Sequence, residues 1–112
     1  MNINNRACEF TYPRSPETWD GVLAALPGKL ALKIDFDGVT VEEPPRSKLA
    51  TLWFRAGAKK VFHVRLVRKT GGCLIRIAGL DRDATLVAIK ICRDHFDELF
   101  GVTSRDIQDY DA

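Results

Sequence analysis

Between Pro44 and Leu80 the sequence contains no acidic residue, although the 112-residue chain holds 15 of them. Histidine is scarce as well, with His63 and His95 the only two. Cysteine occurs three times, at Cys8, Cys73 and Cys92, never as CxxC and never with a histidine at ligand spacing. An odd, scattered set of thiols excludes the usual zinc modules and a disulfide framework, and it leads us to expect reduced cysteines in a cytoplasmic protein. No apolar run approaches the roughly 18 residues of a membrane span. The first residues, Met1-Asn2-Ile3-Asn4-Asn5-Arg6, lack the apolar segment of a secretion signal. Internal repeats and low-complexity stretches are missing too.

What is present is an ordinary globular composition, 46% hydrophobic and 29% charged, at a length that supports one core. We expect a single α+β domain over residues 1–112, with an acidic tail that frays from residue 103. The net charge of +2 hides a sharp segregation. Residues 1–43 sum to −3 and residues 81–112 to −4. The middle block holds Arg46, Lys48, Arg55, Lys59, Lys60, Arg65, Arg68, Lys69 and Arg76, a sum of +9. Such a one-signed block reads as a surface for an anionic partner or as a solvated face, since lysine and arginine are common on any surface.

The apolar periodicity organises the chain around that block. Residues 8–12 suit a short strand. Ser15 then caps a helix with Pro16 at its first position, and Trp19, Val22, Leu23 and Leu26 form one stripe that Pro27-Gly28 should end. From Lys29 the period reads as two, with Leu30, Leu32, Ile34 and Phe36 alternating toward Asp37-Gly38. That dipeptide suits a two-residue hairpin turn with positive φ, pairing Phe36 with Val39 and Ile34 with Val41, so that Gly38→Ala should cost about 1 kcal/mol. Pro44-Pro45 should break the sheet. Strands are expected near 49–55, 60–69 and 73–79, turning at Gly57 and Gly71-Gly72. The β-branched run 85–92 reads as a further strand, with Ile75 opposite Ile89 and Ile77 opposite Val87. A short helix over 93–100 follows and stops at Gly101.

These elements predict a meander-like antiparallel sheet of five to six strands with two short helices packed on one face. The opposite face should then display Trp53, Arg55, His63, Arg65, Lys69, Leu74, Arg76 and Lys90, with Lys48, Lys59 and Lys60 at strand ends beside it. Guanidinium and ammonium groups neutralise phosphates, and a tryptophan offers an unpaired base a stacking surface. The same face suits an acidic protein surface, and the flanking −3 and −4 blocks are a further, intramolecular source of neutralisation. Between its cationic neighbours His63 should resist protonation. His95, within Arg93-Asp94-His95-Phe96-Asp97-Glu98, reads as the polar side of an amphipathic helix.

One segment points elsewhere. Ile34-Asp35-Phe36-Asp37-Gly38-Val39-Thr40-Val41 resembles the first motif of haloacid-dehalogenase-type phosphatases, an apolar strand running into Asp-x-Asp-Gly. The resemblance implies Asp35 as nucleophile, Asp37 as general acid, a bound Mg²⁺ and a parallel Rossmann-like sheet. It covers about nine residues, and the helix, Thr/Ser, Lys and acidic pair that complete that family's site have no evident counterpart here.

The reading we take forward is a small non-catalytic binding protein that needs no cofactor, metal or membrane. Its basic sheet face, built from Trp53, Arg55, Lys59, Lys60, His63, Arg65, Lys69 and Arg76, engages an anionic partner, either nucleic acid or an acidic protein surface. By analogy of size, inhibitors and accessory factors of phage or plasmid type are comparable. The alternatives are the Mg²⁺-dependent phosphatase at Asp35/Asp37 and a homodimer in which acidic ends meet basic faces.

Overall fold

The computed structural model describes residues 6–42, 49–103 and 105–109. Eight elements follow one another: β1 (Arg6–Tyr12), α1 (Asp20–Ala31), β2 (Gly38–Glu42), β3 (Leu49–Ala56), β4 (Lys59–Lys69), β5 (Gly72–Gly79), α2 (Arg82–Phe100) and β6 (Arg105–Asp109). The six strands form one antiparallel sheet in the order β2-β3-β4-β5-β1-β6. Strands β2 to β5 are a meander. β1 inserts between β5 and β6 and gives the sheet its non-sequential edge. The fold is therefore α+β, as the periodicity predicts.

One face of the sheet carries the core. Leu52, Val64, Ile77 and Cys8 line up across β3, β4, β5 and β1, and the next row is Ala50, Leu66, Ile75 and Phe10. All eight are buried in one cluster with Val22, Leu26 and Leu30 of α1 and Ala88, Cys92, Phe96 and Phe100 of α2. Both helices thus cover the same face, and the alternation of the strands sends every second side chain to the other one. Tyr12 ties the layers together, its hydroxyl donating to Asp97 Oδ1 on α2 at 2.6 Å.

Residues 85–92 are not a strand. They belong to α2, a single helix from Arg82 to Phe100. Asp81 caps it, its carboxylate accepting from the Ala84 N–H at 3.0 Å, and Gly101 closes it in the left-handed conformation with φ 69°. The buried positions Thr85, Ala88, Cys92, Phe96 and Phe100 run as one helical stripe through both halves of the segment. That continuity, with a cap at each end, outweighs the β-branched propensity of Val87, Ile89 and Ile91. The place beside β5 that we assigned to 85–92 is taken by β1, with Phe10 opposite Ile75 and Cys8 opposite Ile77. Lys90 consequently leaves the basic face. It lies exposed on α2, 3.3 Å from Asp94.

A second expectation fails around α1. The helix starts at Asp20, with Trp19 rather than Ser15 at its N-cap and Pro16 outside it, and continues through Pro27-Gly28 to Ala31, so no strand leads into Asp37-Gly38. Leu30 and Ile34 extend the stripe of Trp19, Val22 and Leu26, and all five are buried, whereas Leu32 is 80% exposed. A spacing of four satisfies both a period of two and a helical i, i+4 step, and the helix takes it. Gly38 opens β2 opposite Arg55, its φ is not positive, and space is open around it, so no strain is expected from Gly38→Ala. Positive φ falls at other turns, and Gly57, with φ 63°, makes the β3–β4 hairpin possible. Within the acidic segment expected to fray, β6 pairs with the free edge of β1. Pro44-Pro45, Arg46 and Lys48 lie outside the described residues.

Candidate functional site

The register assembles the face away from the helices in rows. Trp53 on β3 stands opposite His63 on β4, which stands opposite Ala78 on β5, which stands opposite Ala7 on β1. The adjoining row is Glu42 on β2, then Thr51, Arg65, Arg76 and Glu9, so an acid stands at each end of it. On the other side of Trp53 the pairing shifts between Phe54 and Arg55, and Arg55 faces Lys60 with Val61 left over. This bulge returns Lys60 to the same face as Arg55, because one extra residue inverts the alternation. Val61 is buried instead, beside Phe62.

The aromatic row is thereby bracketed by cations. Same-face neighbours along a strand are about 7 Å apart, from a rise of roughly 3.3 Å per residue. Arg55 and Lys60 lie one such step to one side of Trp53 and His63, and Arg65 and Arg76 one step to the other. The Trp53 and His63 rings meet at 4.7 Å between centroids, tilted by 52°. The Lys60 ammonium lies 4.5 Å from the centre of the tryptophan ring, a cation–π contact. Because Ala7 and Ala78 are small, the row ends in a depression. A cavity of about 280 Å³ opens there, lined by Trp53, His63, Ala78, Ala7, Lys60 and Arg76, with Leu80 at its rim.

Burial, and after it the Arg65 and Arg76 guanidinium groups, push the His63 pKa down to about 4 from an ordinary 6.5. The imidazole is therefore neutral at neutral pH, as its cationic neighbours led us to expect. The pH dependence of stability follows from this. In the unfolded chain His63 takes a proton near pH 6.5, and in the folded protein only near 4. Its contribution is complete above 6.5 and is lost as pH falls through that window, because the unfolded state binds the proton first. His95 shifts in the same direction, through its burial and the Lys29 ammonium, which lies 2.9 Å from its Nδ1. Urea unfolding of wild type and His63→Gln, above and inside the window, separates the two. We expect the loss of stability on acidification to be clearly shallower in the variant, and equal slopes would contradict the assignment.

The eight residues singled out in the sequence are not all brought together. Trp53, Arg55, Lys60, His63, Arg65 and Arg76 form one patch. Lys69 shares their face but lies at the far end of β4, opposite Gly72. Lys59 pairs with Ala56 at the β3–β4 turn and lines a different cavity of about 770 Å³, whose walls also include Lys33, Asp35, Asp81, Asp83 and Lys60, which borders both cavities. Sequence reasoning missed Ala7, Ala78 and Leu80, which carry no charge or motif to mark them. It also missed Glu9, whose carboxylate lies 3.8 Å from Arg76 and offsets part of the cationic row.

Asp35 and Asp37 sit in the loop between α1 and β2. The segment before them is helix rather than strand, and the sheet has no parallel pair, so the framework implied by the phosphatase resemblance is not present. Asp37 is engaged otherwise, its Oδ2 accepting the Gly57 N–H at 2.8 Å and its own N–H donating to the Arg55 carbonyl. Among the described residues no cluster of three or more His, Cys, Asp or Glu is placed to hold a metal ion, and no helix is long and apolar enough to cross a membrane. No protein-family model, curated protein or solved structure matches the chain.

Proposed function

We propose that this protein is a binding protein whose exposed sheet face engages an anionic macromolecule. The observation that carries the reading is the convergence of Arg55, Lys60, Arg65 and Arg76, from three strands, around the Trp53–His63 row. A partly exposed face with four cations against two acids, Glu9 and Glu42, attracts phosphate or carboxylate groups at little desolvation cost. The acid-free stretch 44–80 supports it from the sequence side.

The measurement that tests it is affinity for a nucleic acid across a salt series. If four side chains each neutralise a phosphate, log K should fall linearly with log salt with a slope of about −3 to −4. Binding that ignores salt, or no binding to any polyanion, would remove this reading.

A further inference from the structure

We infer that the cavity beside Trp53 takes one unpaired base of a single-stranded nucleic acid, with the adjoining phosphates held by Arg55 and Lys60 on one side and Arg65 and Arg76 on the other. This rests on the reading of the face as an anion-binding surface and names its partner. An acidic protein surface would be served by the cations alone. The alternation of a cationic row, an aromatic row and a second cationic row matches a strand whose charges and flat rings alternate along its length.

The cavity fits such a ring in size and chemistry. Its volume of about 280 Å³ lies just below the roughly 300–1,000 Å³ of drug-sized clefts, which leaves room for a single ring system. The small side chains of Ala7 and Ala78 let a flat group approach the sheet, with Arg76 of β5 at the edge of that space. The wall includes Trp53 and the His63 ring, which is neutral and adds no charge of its own, while Lys60 and Arg76 stand at its edges. In the free protein the Lys60 ammonium covers the tryptophan ring. Lys60 is exposed, and a base that displaces it leaves the ammonium beside the backbone it would neutralise. Duplex nucleic acid cannot use the cavity, since its bases are already stacked.

The two tryptophans make the test direct. Trp19 is fully buried under α1, so a base that quenches fluorescence reports on Trp53. Four probes, labelled so that their anisotropy reports binding to all three proteins, are titrated into wild type, Trp53→Phe and Trp53→Ala: a mixed-sequence single strand, its duplex, an abasic strand of equal length, and polyglutamate. Quenching of Trp53 is read in wild type. We expect the single strand to bind tightest and to quench. Trp53→Ala should weaken it about tenfold or more, Trp53→Phe should retain most of the affinity, and neither should alter duplex or abasic binding. Far-UV circular dichroism checks that both variants are folded. If single strand, duplex and abasic strand bind alike and Trp53→Ala changes nothing, the base cavity is refuted while the anionic face stands. Preference for polyglutamate would refute it in favour of an acidic protein partner. If no probe binds in a salt-dependent way, both readings fall together.

Discussion

Reversing two charges, Arg65→Glu with Arg76→Glu, should lower affinity for a nucleic-acid partner about a hundredfold or more at roughly 0.1 M salt. The two residues face each other across β4 and β5, so the change creates one local anionic spot in the middle of the patch. It removes two cations and adds two anions, and the local potential changes sign rather than merely weakening. The slope of log K against log salt should become shallower, because fewer counterions are released. The fold should survive. Arg76 is half-buried and its pair with Glu9 is long, at 3.8 Å, and such partly exposed pairs contribute at most about 1 kcal/mol. Placing a glutamate opposite Glu9 adds a cross-strand repulsion of roughly 0.2–1 kcal/mol, small against the 5–15 kcal/mol that holds a domain of this size together. The paired substitutions Arg65→Gln and Arg76→Gln, which delete charge without reversing it, should fall between wild type and the reversal. Wild-type affinity in the double reversal, measured on the same oligonucleotides, would show that the face is a solvated surface.

The largest effect on stability is expected at Phe96. Its substitution by alanine should cost about 3–5 kcal/mol and lower the melting temperature by more than ten degrees. Phe96 is fully buried in the α2 stripe, stacked on Phe100 at 6.1 Å and tilted against Tyr12 at 6.1 Å. Its removal opens a cavity between helix and sheet that the neighbours on α2 and β1 close only in part. Leu99, next to the stripe and 51% exposed, is the control, and Leu99→Ala should cost less than about 1 kcal/mol. Denaturant unfolding of both variants provides the comparison. Equal costs would mean that α2 presents a different face to the sheet.

The strands of the basic block were legible because their signal is redundant. Val64 and Leu66 alternate with His63 and Arg65 over a long run, and hairpin glycines stand at both ends, so the strands and the facing of their side chains follow from the sequence. The grouping of Trp53, His63, Arg65 and Arg76 on one face follows from that alternation. The stretches 29–36 and 85–92 were misread because their local patterns fit two periods. Leu30 and Ile34 are four apart, and the β-branched residues of 85–92 read as a strand when separated from Phe96 and Phe100. In each case the deciding fact is burial shared with residues on another element, which a local window does not contain.

The sequence by itself determined the α+β class, the strands β3 to β5 and the positive charge of the block they carry. Charge and alternation are properties of neighbouring residues, and they survive in any fold that keeps the strands. The tertiary structure alone decided that β1 lies beside β5, which brings Ala7 to the cavity and Glu9 to Arg76 from a distance of some 70 positions in the chain. It also decided that the bulge at Val61 turns Lys60 onto the face beside Trp53, while Lys59 lines only the larger cavity. Pairing between strands remote in sequence is set by which apolar faces bury one another best, a competition among whole elements. No single segment carries its outcome.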